Sequence, residues 1–193
     1  MMTPTAELIH YVAAAYASTS KSLANNVFRG HLRTISSDIE DGIAIFISKA
    51  LPQDYKLFLD PSIHVGGKNN RPDLLVVDSS NHVVAMIEIK ANMGWCRDAS
   101  KIIDGIVDND KKFRQENNLT CEFSTRDSVF ITYGNDVKLY LLSLTDWNCP
   151  ASKHVINRQN ASAKNIKHYN LFTGWYDSLA VKEADIFLND LMP

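Results

Sequence analysis

Two carboxylates and an ammonium are spaced so that they fall on one surface. Asp73 follows Pro72 and heads the apolar run Leu74-Leu75-Val76-Val77, and Glu88-Ile89-Lys90 closes a second run that begins at His82. Between the runs, Ser79-Ser80-Asn81 has the composition of a turn. A hairpin centred between Ser80 and Asn81 sets Val77 opposite Val84, Leu75 opposite Met86, and Asp73 opposite Glu88. Residues opposed in an antiparallel pair share a face, with Cβ atoms roughly 4.5–5.5 Å apart. Lys90 lies two residues beyond Glu88 and shares that face. The other face, formed by Leu74, Val76, Val83, Ala85, Ile87 and Ile89, is also apolar, as in a central strand covered on both sides.

Facing carboxylates destabilise a sheet unless a proton, a cation or a metal offsets them. Lys90 supplies one positive charge. A hard divalent cation with oxygen ligands would supply the rest, and magnesium commonly takes only one or two protein carboxylates. Such a site activates water and neutralises charge on a phosphate, while a neighbouring ammonium stabilises the charge that develops. The expected chemistry is phosphodiester hydrolysis supported by Mg²⁺, with Mn²⁺ as a substitute.

Several elements must position these residues. Thr3-Pro4 opens a helix that carries Leu8, Ile9, Val12 and Tyr16 at helical spacing. Residues 19–36 read as irregular. Ser37-Asp38-Ile39-Glu40 has the form of a capping box, and Ile39, Ile43, Phe46, Ile47 and Ala50 form the apolar stripe behind it. Tyr55 to Val65 reads as extended and broken at Asp60-Pro61, with 66–70 a loop. Strands are expected over 73–78, 82–90, 128–133 and 137–144, and helices over about 98–115 and 177–191. The resulting fold class is α/β: a central mixed sheet flanked by helices, with helical additions at both ends. A chain of 193 residues is most simply one domain, 1–193, with its core at about 37–144.

Pro72-Asp73, then fourteen residues, then Glu88-Ile89-Lys90 resembles the PD-(D/E)XK nuclease superfamily. The order helix, three strands, helix, strand over about 37–133 is similar to that family's restriction-endonuclease-like α-β-β-β-α-β core. By position, the resemblance implies that Asp73 and Glu88 are metal ligands, that the Ile89 carbonyl is a third, and that Lys90 is the catalytic lysine. Glu40, in the preceding helix, matches a place where many members carry another acid, although its place in the capping box explains it equally well. A further polar residue in the following helix falls on Lys101 or Asp104. The resemblance also implies DNA as substrate, a restriction- or defence-like endonuclease, and a homodimer. Two alternatives use the same fold: a degenerate module that binds nucleic acid or protein without cutting, and a repair or recombination nuclease that selects structure.

The rest of the chain narrows these classes. A net charge of -2 excludes a basic chromatin-like protein. Cys96, Cys121 and Cys149 are odd in number and contain no CxxC pair, which fits neither a zinc ribbon nor a disulfide framework. Together with the lack of a leader-like N-terminus and of any membrane-spanning apolar run, this predicts a cytoplasmic protein without a membrane partner. Lys68 to Arg71 read as a solvated loop beside Asp73 that could meet a phosphate. Trp95 is either a base-stacking or a core residue. Lys153, Arg158, Lys164 and Lys167, followed by Tyr169, Phe172, Trp175 and Tyr176, suit either a nucleic-acid arm or a solvated helix followed by a core anchor.

Overall fold

The computed structural model describes residues 2–20, 36–94, 98–123 and 127–192. Two helices, α1 (Pro4–Ser20) and α2 (Ser36–Ala50), come first. Strands β1 (Lys56–Leu59), β2 (Ser62–Val65), β3 (Lys68–Asn70), β4 (Leu74–Val77) and β5 (Val83–Asn92) follow. Next come α3 (Ala99–Glu116), β6 (Asn118–Glu122), β7 (Ser128–Thr132), β8 (Lys138–Thr145), α4 (Ala151–Ser162), β9 (Ile166–Thr173), β10 (Ala180–Val181) and α5 (Ala184–Leu191).

The strands form two sheets. The larger is mixed, in the order β1-β4-β5-β8-β9-β10, with β5, β8 and β9 parallel and the remaining pairs antiparallel. The smaller is antiparallel, in the order β3-β2-β6-β7. One core lies between the large sheet and α1, α2 and α5, including Leu8, Val12, Ile43, Phe46, Leu74, Ile87, Leu142 and Phe187. A second lies on the other face, where Leu75, Met86 and Leu141 meet Ile103, Ile106 and Phe113 of α3 and the inner residues of the small sheet. Burial on both faces explains why the central strands read as continuous apolar runs.

The small sheet departs from the expected single sheet. Residues 68–70 pair with β2 instead of forming a loop, because Gly66 and Gly67, at φ 58° and 74°, turn the chain tightly enough to bring Lys68 opposite Val65. Residues 128–132 join the small sheet, and β8 takes the place beside β5. The burial patterns give the physical reason. Every residue of β8 after Lys138 is buried, as an interior parallel strand requires, whereas β7 buries Ile131 and leaves Phe130 75% exposed. β6 is absent from the expected element order, α4 and β9 take the place of the alternative helix and core anchor, and the final helix begins at Ala184 instead of 177. The segment 21–35 and Trp95, both named above, lie outside the described residues.

α2 also begins earlier than expected. Ser36 is already helical, so Ser37 lies within the first turn and is not the cap, and the capping-box account of Glu40 is withdrawn with it. Cys121 is a buried free thiol. Among the described residues, no helix is long and apolar enough to cross a membrane.

Candidate metal centre at the end of the central hairpin

The β4–β5 hairpin is set by its turn. The Asp78 carboxylate accepts hydrogen bonds from the backbone N–H groups of Ser80 (2.8 Å) and His82 (2.9 Å), and Asn81 adopts φ 62°. A register shift between Val76 and Val77 brings Val77 opposite Val83, not Val84 as the symmetric hairpin predicts. Val83 therefore joins the α3-side core, and Val84 packs against the other. Past the shift the expected register resumes, with Leu75 opposite Met86 and Leu74 opposite Ile87. Asp73 is the next residue along, just before the strand, and its carboxylate accepts a hydrogen bond from the Ile89 backbone N–H at 2.7 Å.

Three oxygens converge on one point, and the Lys90 ammonium occupies it. Lys90 Nζ lies 2.7 Å from Glu88 Oε1, 2.8 Å from the Ile89 carbonyl oxygen and 3.3 Å from Asp73 Oδ2. The three side chains are only 21–27% exposed. Burial raises the Glu88 carboxyl above its ordinary pKa, and Asp73 adds to the rise while Lys90 opposes it. Burial also acts against the Lys90 charge, but Glu88 and Asp73 outweigh it and hold the ammonium above its usual range.

Glu40 belongs to the same electrostatic neighbourhood. Its pKa is pushed up to about 7, first by burial and then by the charge of Asp73, with Lys90 opposing and Asp60 adding. Glu40 does not join the convergence on Lys90, and no group of three or more His, Cys, Asp or Glu side chains among the described residues has a metal-holding arrangement. The donor set is therefore two carboxylates and a carbonyl. Hard oxygen donors of this kind suit Mg²⁺ or Mn²⁺, with water or phosphate completing the shell. The ammonium itself is the evidence of fit, since it shows that the three oxygens already hold a cation.

Two supporting residues were missed by the sequence reasoning. Asp60 adopts φ 45° immediately before Pro61 and donates its N–H to the Asp73 carbonyl oxygen at 2.9 Å. Its signal in the sequence was the Asp-Pro break, taken only as an interruption. Ser143, fully buried, lies beside Lys90 in the β5–β8 register. Its hydroxyl accepts from the Met93 N–H (3.2 Å) and donates to the Thr145 carbonyl oxygen (2.7 Å), which ties down the chain where β5 ends. A single polar residue within the run Leu139 to Leu144 was its signal.

The remaining candidates take structural positions. Lys101 pairs with Asp98, and Asp104 pairs with Lys164, on the outer surface of α3. Lys68 and Arg71 are exposed at the β3 end of the small sheet. Of the two readings of 151–176, the structure bears out the helix followed by a core anchor, the anchor being a strand. Arg158 pairs with Glu183, Lys164 with Asp104 and Lys167 with Asp190, while Phe172 and Tyr176 are buried in the first core.

No protein-family model and no curated protein sequence matches the chain. Among solved structures, NucC of P. aeruginosa ATCC27853 in a cAAA-bound form is similar over 97% of this chain and 88% of that one, with a TM-score of 0.56 and 12% identity. The likeness extends to both termini, beyond the core that the motif identified, and it bears out the α/β, restriction-endonuclease-like fold class.

Proposed function

We propose that the chain is a divalent-metal-dependent nuclease that hydrolyses phosphodiester bonds, with DNA as substrate and Mg²⁺ or Mn²⁺ as cofactor. One observation carries this: two carboxylates from adjacent strands and a backbone carbonyl already enclose a cation at 2.7–3.3 Å. The resemblance of Pro72-Asp73 and Glu88-Ile89-Lys90 to the nuclease motif gives that geometry its chemical meaning.

Asp73 and Glu88, with the Ile89 carbonyl, would hold the metal. When bound, the metal supplies a polarised water and charge neutralisation at the scissile phosphate. The chain's own contributions follow from position. The Ile89 N–H fixes the Asp73 carboxylate, so one ligand is oriented before any ion arrives. Lys90 supplies a positive charge on the same face to stabilise the charge that develops on the phosphate. Glu40, its pKa pushed up to about 7 by burial and then by Asp73, is about half protonated near neutral pH and would serve to exchange a proton with water at the site. A homodimer acting on both strands of DNA, in a restriction- or defence-like role, completes the proposal.

Plasmid DNA incubated with Mg²⁺ or Mn²⁺ tests it, with Asp73→Ala and Lys90→Ala as controls. The wild type cuts and both variants lose at least about 100-fold in rate, the scale expected for removing a group that acts on the transition state. Equal cutting by the variants contradicts the site. No cutting of DNA or RNA with either metal contradicts the enzyme and favours a module that only binds.

A further inference from the structure

We propose that Lys90 is a built-in cation that holds the metal position until a divalent ion displaces it, so that loading the site and arming the lysine are a single event. The inference rests on the metal-site proposal above.

An ammonium has three N–H donors and no acceptor. In this protein the acceptors around Lys90 Nζ are Glu88 Oε1, the Ile89 carbonyl and Asp73 Oδ2, the three atoms assigned to the metal. Two of these contacts are hydrogen bonds and the third, to Glu88, is an ion pair, so all three are drawn from the ligand set. In this position the ammonium is directed at the ligand set and not at a phosphate, and it serves the protein by offsetting two facing carboxylates.

The two cations cannot share the site. Mg²⁺ binds oxygen at about 2.0–2.1 Å, so an ion among the same three oxygens would lie well inside van der Waals contact with Nζ. The ammonium must swing out, and its partly exposed four-carbon stem gives it room to do so. Once displaced it keeps its charge, regains its donors and remains on the face where the phosphate would sit. Metal binding therefore has to break three charge-assisted contacts, and the affinity measured for the wild type is lowered by that step.

The test is Mn²⁺ titration by calorimetry at pH 8, without nucleic acid, on wild type, Lys90→Met and Asp73→Asn, with folding checked by circular dichroism. Lys90→Met is expected to bind at least about tenfold more tightly than wild type, and Asp73→Asn to lose binding. A second readout does not depend on the methionine variant. In protein labelled with [13Cε]lysine, the Lys90 signal, assigned by its absence from Lys90→Arg, should move saturably as Mg²⁺ is added. If Mn²⁺ binds the wild type but Lys90→Met binds equally or more weakly, or if the Lys90 signal stays fixed while the metal binds, the stand-in role is overturned. If neither the wild type nor Lys90→Met binds Mn²⁺, the metal-site proposal itself falls, and this inference falls with it.

Discussion

Replacing Glu40 with glutamine relieves the strain of holding a half-buried carboxylate near Asp73. The side chain is partly exposed on α2, yet burial and the charges of Asp73 and Asp60 push its pKa from an ordinary 4.5 to about 7. A carboxyl whose folded pKa is raised binds its proton more tightly in the native state than in the unfolded one. Stability is therefore lost as pH rises, beginning near the unfolded value of 4.5 and levelling off above 7. The full shift corresponds to roughly 3 kcal/mol at 1.36 kcal/mol per pKa unit. Solvent screening at a partly exposed position reduces this to about 1–2 kcal/mol. Glu40→Gln removes the charge and keeps the shape. In EDTA, urea denaturation followed by circular dichroism should show the variant equal to wild type near pH 4 and more stable by about 1–2 kcal/mol at pH 8. For a domain of this size, that is a rise in melting temperature of roughly 3–6 °C. A stability difference that is the same at both pH values, or a less stable variant at pH 8, refutes the claim that burial and the charge of Asp73 strain the Glu40 carboxylate. Adding Mg²⁺ should shrink the difference, because a cation at Asp73 relieves the same repulsion.

Other predictions concern the scaffold. A Cβ on Gly94, just past the end of β5, would lie 2.8 Å from backbone atoms of Trp147 and Asn148, so Gly94→Ala should destabilise the protein by about 1–3 kcal/mol in denaturant titration. Glu183→Ala removes the acceptor of the Asn170 backbone N–H (2.7 Å), within a fully buried residue, and the partner of Arg158, and should lower stability by about 1–3 kcal/mol. His168 is buried with both ring nitrogens unpartnered among the described residues, and burial followed by the charge of Arg158 lowers its pKa to about 4. Its unfolded value is 6.5, so stability is full above about 6.5 and falls as pH drops towards 4. His168→Gln should flatten that acid limb of the stability profile.

The site was legible in the sequence for a simple reason. A two-residue side-chain period and a tight turn fix which residues face one another, so Asp73, Glu88 and Lys90 could be placed together from spacing alone. The bulge at Val76–Val77 was not legible, because nothing in two runs of valine and alanine marks where a strand gains a residue. It changed the faces of Val83 and Val84 but left the charged end in register. The second sheet was hidden for a different reason. β3 is Lys-Asn-Asn, a strand by pairing rather than by propensity, and β6 begins at Asn118, immediately after the Asn117 that caps α3. The charges of 151–167 left two readings open, an arm or a solvated helix, and the fold decides between them by pairing Arg158, Lys164 and Lys167 with Glu183, Asp104 and Asp190. For Glu40 the sequence left a cap and a catalytic role equally open. Its environment depends on Asp60 and Asp73, which only the fold brings near it.

The most direct test of the central claim is anomalous diffraction from crystals soaked in Mn²⁺. The account predicts a peak at about 2.0–2.3 Å from the Asp73 and Glu88 carboxylates and the Ile89 carbonyl, with Lys90 moved off that point. Crystals that show no peak there, with Lys90 still bound to all three oxygens at saturating Mn²⁺, would contradict it.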